Sequence, residues 1–449
     1  MWKGTEKVFF VGICGISLSA LALVLKNQGH KVWGSDLHPG EMGKKLAREG
    51  IEVFEGHNKN HLKDADVLVY TSAISVDNEE LEEANKRKIR VVSRAQLLGE
   101  LSSHYPKTIA VSGCHGKTTT TGMLATIFID AGLDPTVHIG GNFSKIGGNV
   151  RIGGGPYFIT EACEYKDSFL RLTPHTSAIL GVQADHLDYF KNVNNVQASF
   201  NQFAANTKHF LVADFDNKRA VEASKHANCN IACYSRTKRA DYAAKNICAM
   251  RNGCFEFDLF VCGLFARHIQ LSAPGEHNIS NALAAIAIAR NENIDYQTIT
   301  DALKEFSGVE RRFELCGKIN GAKVYHDYAH HPTEIAAAIK TARQVSGGKL
   351  WVVFQPHTFS RTKSFFCAFA NSLSKADEVI TYQIYPAREQ PIKGITSEAL
   401  AQKISSRGTQ ACCINSFTKI LGTLKQQVRK TDLVLILGAG DIVELTKLI

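Results

Sequence analysis

Short apolar runs recur along the chain, and several are followed at once by a glycine turn and a segment with helical spacing. Val8–Ile13 is one such run, Gly12-Ile-Cys-Gly15-Ile-Ser a tight turn, and Leu18–Asn27 a predicted helix that stops at Gly29. Val32–Asp36 predicts a second strand with an acid at its carboxyl end. Val67–Tyr70 predicts a third, followed by Thr71-Ser72-Ala73-Ile74. Strand, glycine turn, helix, strand and acid form the nucleotide-binding βαβ arrangement. The dinucleotide fingerprint is incomplete, because Cys14 and Ser17 stand where glycines belong. A Cβ there keeps a pyrophosphate from lying flat on the turn, so the pattern points to a different nucleotide.

The same pattern returns after Tyr105-Pro106-Lys107. Thr108–Val111 is an apolar strand that enters the turn Gly113-Cys114-His115-Gly116, and Lys117, Thr118 and Thr119 open the next helix. Backbone N–H groups in such a turn, backed by the positive end of the helix dipole, surround phosphate oxygens. Lys117 would reach the terminal phosphates and the Thr118 hydroxyl would sit on Mg²⁺. The strict P-loop spacing wants glycine at position 111, where this chain has Val111. A glycine-rich turn before an ordinary helix is the blander reading; the order strand, glycines, Lys-Thr, helix favours phosphate.

Further along, Tyr157–Thr160 and Ser177–Gly181 predict strands, Asn252–Leu271 a hairpin, and Ala282–Arg290 an alanine-rich helix led by Gly275-Glu276-His277-Asn278. A third unit begins near Glu314, with strands at Lys323–His326, Leu350–Gln355, Glu378–Tyr382 and Leu433–Leu437 and a helix at Pro332–Ala342. A chain of 449 residues accommodates about three such domains.

Composition narrows the reading modestly. The net charge of +9 is spread along the chain and decides nothing alone, since small anionic ligands explain it as well as a nucleic acid; with no basic tail and no nucleic-acid motif, no nucleic acid is expected. No run reaches the roughly 20 apolar residues of a membrane span. Met1–Lys7 leads into a strand without a signal-peptide core, so a cytoplasmic protein with no membrane partner is expected. None of the 12 cysteines forms Cys-x-x-Cys, and several lie in apolar runs, such as Cys367 in Ser-Phe-Phe-Cys-Ala-Phe. Reduced, mostly buried thiols are expected.

Several polar groups are candidates for chemistry. Glu161 ends one predicted strand, and His186 follows another after Gln183-Ala184-Asp185; both suit a ligand crevice, with the carboxylate suited to Mg²⁺. Equally, Glu161 caps a helix and His186 is a turn histidine. His277, Asn278 and Asn281 sit near a helix start, where amides read an adenine edge or, more simply, cap the helix. Tyr325–Glu334 is too dense in polar rings to be core, yet His330 and His331 are adjacent and lack zinc-ligand spacing. Arg361, after Gln355-Pro-His357-Thr, is either a solvated charge or a carboxylate clamp. Arg311-Arg312-Phe313 lies at the joint to the third unit, as surface charge or as a stabiliser of phosphoryl transfer.

These pieces, in this order, resemble the ATP-dependent Mur ligases of peptidoglycan synthesis. The likeness rests on the Gly12–Ala20 turn, Gly-Cys-His-Gly-Lys-Thr-Thr-Thr, Asp185-His186, His277-Asn-x-x-Asn281, Arg311-Arg-Phe, Asp327-Tyr-Ala-His-His-Pro-Thr-Glu334 and Gln355-Pro-His-Thr. It implies an α/β fold of three domains: a Rossmann-like UDP-binding unit at 1–105, a central P-loop ATPase with a mostly parallel sheet at 106–313, and a C-terminal Rossmann-like unit at 314–449. ATP and Mg²⁺ are the implied cofactors, and UDP-N-acetylmuramate and L-alanine the implied small-molecule substrates, handled by a monomer or weak homodimer. A relative that attaches a murein peptide to the same sugar nucleotide, and a non-catalytic nucleotide binder, are the alternatives.

Residue by residue, the resemblance assigns the phosphates of ATP to the Gly113–Thr119 loop, with Lys117 at the β/γ-phosphates. Mg²⁺ goes to Thr118, Glu161 and His186, adenine to His277, Asn278 and Asn281, a phosphate to Arg312 and the ribose to Asp327. Tyr328, His330, His357 and Arg361 would hold the muramyl carboxylate and the alanine. Gly12, Gly15, Ser17, Ser19, Asp36 and Ser72 would form the uridine diphosphate pocket. Lys117, Glu161, His186, Arg312 and His330 would be catalytic. Three departures stand out: Cys14 and Ser17 for glycines, Cys114 for the usual Thr, and Glu161-Ala-Cys-Glu-Tyr-Lys166 for Glu-Ala-Asp-Glu-Ser-Asp. Sites on three separate units imply that the domains must close for the substrates to meet.

Overall fold

The computed structural model describes residues 5–71, 74–75 and 77–449. Strands flanked by helices on both faces are buried on both sides and read as continuous apolar runs. Val8-Phe9-Phe10-Val11 is such a run, fully buried in the strand Lys7–Val11. It is the centre of a five-stranded parallel sheet in the order Glu52–Glu55, Lys31–Asp36, Lys7–Val11, Val67–Tyr70, Arg90–Ser93. The helix after the first turn starts at Ile16, two residues earlier than the spacing indicated.

The chain forms two compact units. One comprises Met1–Val182, Gln197–Cys233 and Ala287–Ile294; the other comprises Gln183–Val196, Tyr234–Ile286 and Asp295–Ile449. The first holds the five-stranded sheet and most of a second one, in the order Gly148–Arg151, Thr136–Phe143, Tyr157–Ala162, Lys107–Ser112, Thr176–Ile179, Phe210–Asp214, Asn230–Ser235. Its central pairs are parallel, and Gly148–Arg151 runs antiparallel to Thr136–Phe143.

In the second unit, Tyr234 and Ser235 pair in parallel with Tyr242–Ala249, which continues into antiparallel Phe255–Val261 and Leu264–Gln270. The expected hairpin is therefore present. A six-stranded sheet follows: Glu314–Ile319, Ala322–Asp327, Leu433–Leu437, Leu350–Phe354, Glu378–Thr381, Gln410–Cys413. It is parallel except for its first strand, and one apolar cluster packs on each face, around Phe354 and Leu435 on one side and Val353 and Ile436 on the other. The alternation of side chains along a strand produces those two layers.

The cysteine expectation needs correcting. All twelve thiols are free, but only Cys114 and Cys254 are buried, while Cys248, Cys262, Cys367 and Cys412 are exposed. Cys367 sits in an apolar run, yet the helix Phe359–Leu373 buries Thr362, Phe369, Ala370 and Leu373 and turns Cys367 outward. No helix among the described residues is long and apolar enough to cross a membrane.

Candidate functional site

The loop predicted to bind phosphate joins the strand Lys107–Ser112 to the helix Lys117–Asp130. Gly116 adopts φ 82° as the residue before the helix, a left-handed conformation that suits glycine. Gly113 is required for a second reason: a Cβ there would stand 2.9 Å from Cβ of Leu180 on the neighbouring strand's end. The Lys117 ammonium donates to the Gly113 carbonyl at 2.6 Å and to Glu164 at 3.0 Å. Burial works against its charge, but the Glu164 carboxylate and the Cys163 and Cys114 sulfurs together outweigh it and hold the lysine above its ordinary value. Glu164 itself is buried, so this is a closed ion pair inside the loop.

Glu161 lies within the strand Tyr157–Ala162, opposite Val111, and caps no helix. Its Oε1 accepts the Gly140 N–H at 2.6 Å, while Oε2 accepts nothing among the described residues. In the first turn, the Asp36 carboxylate accepts N–H groups of Cys14 and His38, both at 3.0 Å, and so shapes the loop between Gly12 and Gly15. Burial, then Asp36, pushes the Cys14 thiol up to about 12, which keeps it protonated. Ser17 faces His138 and Arg94. Ser19 is fully buried, its hydroxyl donating to the Ile16 carbonyl and accepting from Asn149, so it is interior and not on the turn surface. Ser72 falls outside the described residues.

The second unit assembles the histidines. His186 adopts φ 50° and ψ 41° before the short helix Leu187–Phe190. Its own N–H donates to Asp185, which also accepts Arg361 Nη2 at 3.2 Å. Burial opposes the Asp185 charge, but His186, Arg361 and His330 together hold its carboxyl well below the usual range. Arg361 Nη1 stands 3.3 Å from His357 Nδ1; a guanidinium only donates, so Nδ1 accepts and the His357 proton is on Nε2. His330 Nδ1 lies 3.1 Å from the Tyr328 carbonyl, which only accepts, so here the proton is on Nδ1 and the Nε2 lone pair is free of it. Burial lowers His330 to about 4 and His357 to about 3, so both imidazoles are neutral at ordinary pH.

His331 turns away from this group. It is the N-cap of the helix Pro332–Val345, accepting the Thr333 N–H, and Glu334 completes the capping box by accepting the backbone N–H of His331. The backbone is strained on either side of the functional groups: Thr358 has φ 63° between His357 and Arg361, and Arg311 and Phe313 have φ 62° and 50° on either side of Arg312. Both Arg311 and Arg312 lie over the Tyr328 ring, at 4.7 and 5.2 Å. Asp327 accepts the N–H groups of Phe313 and Ala329, and burial raises it to about 6 despite Arg312.

Asn278 Nδ2 donates to the Pro274 carbonyl and Asn281 Nδ2 to Asn278 Oδ1. Neither amide oxygen accepts a backbone N–H among the described residues, as a cap must, so the capping reading of this pair is wrong. His277 beside them is exposed; protein crowded against one side of its ring, then Arg236 and Arg312, lower it to about 4.

Glu164, Asp185 and Glu334 are polar groups that sequence reasoning left without a role. Each had a local signal: Glu164 stands three residues after Glu161, Asp185 precedes His186, and Glu334 completes a Pro-Thr-Glu helix start.

A phosphate loop that stores its lysine on a glutamate, and a separate sheet carrying a histidine–arginine group at its strand ends, define a nucleotide-dependent α/β enzyme. The chain belongs to the Mur ligase family. Models of the Mur ligase family catalytic domain, the Mur ligase middle domain and the Mur ligase glutamate ligase domain match residues 7–106, 111–289 and 311–440. The UDP-N-acetylmuramate–L-alanine ligase of Clostridium novyi is 44% identical over 439 residues, covering 97% of this chain and 95% of that one. The corresponding ligase of Caldicellulosiruptor bescii is 43% identical over 97% of this chain and 96% of its own length. Among solved structures, the UDP-N-acetylmuramate–alanine ligase of Thermotoga maritima matches with TM-score 0.85 at 28% identity, covering 98% and 97% of the two chains. A murein peptide ligase from Psychrobacter arcticus matches with TM-score 0.73 at 25% identity, over 98% and 97%.

Proposed function

We propose that this chain joins L-alanine to the lactyl carboxylate of UDP-N-acetylmuramate with conversion of ATP to ADP and phosphate. The observation that carries this reading is the whole-chain likeness to L-alanine ligases at 44% identity, with the solved L-alanine ligase matching at TM-score 0.85 against 0.73 for the murein peptide ligase. A carboxylate is a poor electrophile. Transfer of the γ-phosphoryl group makes an acyl phosphate, the amine of alanine adds to its carbonyl carbon, and phosphate leaves from the tetrahedral intermediate. Positioning and charge stabilisation are the protein's tasks.

Lys117 exchanges the Gly113 carbonyl for phosphate oxygens and keeps its charge through Glu164. Arg312 stabilises the phosphoryl group, and Asn278 and Asn281 read adenine. Arg361, oriented by Asp185, clamps the alanine carboxylate. His330, a neutral imidazole with its Nε2 lone pair available, receives the proton that the attacking amine gives up. The Gly12–Ser17 turn, shaped by Asp36, takes the uridine diphosphate. Functional domains at 1–105, 106–313 and 314–449 are supported by the spacing of the three family matches.

Mg²⁺ fits the donor set: Glu161 Oε2 is a carboxylate oxygen without a hydrogen bond, and Thr118 offers a hydroxyl. These two residues would hold it, while the His186 nitrogen is a softer donor than Mg²⁺ prefers. When bound, the ion neutralises phosphoryl oxygens.

The test is a phosphate-release assay on the purified chain with ATP, Mg²⁺ and UDP-N-acetylmuramate, offered L-alanine, L-serine, glycine or the murein tripeptide. Release with L-alanine is expected. Release with the tripeptide alone would overturn the reading in favour of a peptide ligase.

A further inference from the structure

The first unit contains a hydrogen-bonded chain that the proposed chemistry leaves unused. His138, on the strand Thr136–Phe143, is 3% exposed and bridges two hydroxyls: Nε2 lies 2.9 Å from Ser17 Oγ, and Nδ1 lies 2.9 Å from Thr160 Oγ1. Beyond Thr160, its hydroxyl donates to the Glu161 carbonyl at 3.1 Å. Beyond Ser17, Arg94 Nη1 donates to Ser17 Oγ at 3.3 Å.

Donor and acceptor chemistry gives this chain one direction. The Glu161 carbonyl only accepts, so Thr160 donates to it and must accept from His138 Nδ1–H. Nε2 then carries a lone pair and accepts the Ser17 hydroxyl proton, and Ser17 accepts from Arg94, which only donates. Burial, and after it the Arg94 charge, lowers His138 to about 3, so the single neutral tautomer persists. The same strand also holds Glu161 directly, through the Gly140 N–H. Moving Ser17 therefore breaks a bond at one end or displaces the residue that carries the Glu161 carboxylate at the other.

We propose that His138 is a positioning residue that couples the Gly12–Ser17 sugar-nucleotide turn to the Glu161 strand of the ATP site, through Ser17 on one side and Thr160 on the other. This deepens the function proposed above and rests on it. Engagement of Ser17 and Arg94 by the sugar nucleotide fixes the Glu161 strand in the position that favours nucleotide, and the effect is reciprocal.

The experiment is calorimetric titration of the whole chain with a non-hydrolysable ATP analogue and Mg²⁺, with and without saturating UDP-N-acetylmuramate. In the wild type the sugar nucleotide tightens analogue binding on the order of tenfold. In His138→Phe and Thr160→Val that ratio falls to within about twofold of one, while each ligand alone binds within about threefold of wild type. Thr160→Ser, which keeps the hydroxyl, restores the coupling. Thr160→Val decides the matter if His138→Phe fails to fold.

A wild-type chain that binds both ligands independently overturns the relay and leaves the function standing. So do variants that keep the wild-type ratio, or a Thr160→Ser protein as uncoupled as Thr160→Val. A wild-type chain that binds the analogue but not the sugar nucleotide overturns the function, and the relay with it.

Discussion

Two clusters in this chain use the same residue types to opposite ends. In the first unit, buried Glu80 accepts Ser35 Oγ and His57 Nδ1 on one oxygen and His61 Nδ1 and the Asn58 N–H on the other. Every bond is between 2.6 and 3.1 Å, and neither Glu80 nor its partners have left-handed backbone. In the second unit, Asp185, His186, His330, His357 and Arg361 meet through side-chain bonds of 3.1 to 3.3 Å beside one 2.7 Å backbone bond from His186 to Asp185, with left-handed backbone at His186 and Thr358 and two neutral imidazoles. The first cluster satisfies its polar groups with one another and braces the sheet. The second keeps an Nε2 lone pair and guanidinium donors for something else. Satisfied geometry marks a brace; strained backbone with spare donors marks a site.

The Lys117–Glu164 pair lies between these two types and gives the largest test. Lys117→Ala lowers turnover by about a thousandfold or more, the loss of a main phosphate contact. It also strands a buried carboxylate, which costs about 3–5 kcal/mol. A Lys117→Ala/Glu164→Ala double variant recovers most of the stability and none of the activity. Recovery of activity would make the lysine a brace like Glu80. His330→Ala lowers kcat by about a hundredfold, the usual scale of general base catalysis, with the melting midpoint unchanged within a degree or two.

Glu80→Ala inverts that outcome. Four donors lose their acceptor, and stability falls by about 3 kcal/mol or more, read as a lower melting midpoint of the first transition. The specific activity of the folded fraction stays at the wild-type value. A loss of activity in protein shown to be folded would place the brace in the site after all.

The two clusters were unequally legible. The phosphate loop was readable because strand, glycines, Lys and helix are contiguous from 107 to 130. Glu80 was not, since its partners lie 19 to 45 residues away and its helix, Glu79–Lys86, carries few apolar positions. Short elements are hard to see as well: the helix Gly40–Arg48 has nine residues and buries only Gly43 and Leu46, and the edge strand Gln410–Cys413 has four. The Arg361–Asp185 pair spans 176 residues, so the guanidinium was readable as a clamp but its anchor was not. Apolar neighbours misled the reading of Cys367, because a run of phenylalanines wraps around a helix and not only along its inner face.

Acid titration separates the clusters more gently. His330 and His357, with folded values of about 4 and 3, are neutral where an unfolded histidine titrates near 6.5. Between these values the unfolded chain takes up protons first, so their contribution is complete above about pH 6.5 and is lost as pH falls toward 4. Asp327 works with opposite sign: its folded value of about 6 exceeds the unfolded one, so its protonation favours the folded chain as pH falls below 6. Melting midpoints followed from pH 7 to pH 4.5 should fall, and the slope should flatten in a His330→Asn/His357→Asn variant. An unchanged slope would mean that these imidazoles are already charged in the native chain.

The smallest effect comes from two neighbours. His330 belongs to the open cluster, whereas His331 is 5% exposed, accepts the Thr333 N–H as a helix cap and packs its ring edge-on against Phe365 at 4.7 Å. His331→Ala removes the cap and the ring, and costs about 1–2 kcal/mol of stability. His331→Asn restores the capping acceptor but not the ring, and should recover about half of that loss. Neither change moves KM for L-alanine. A raised KM in His331→Asn, with the melting midpoint recovered, would show that the brace and the site share this residue and that the division between the two clusters is not clean.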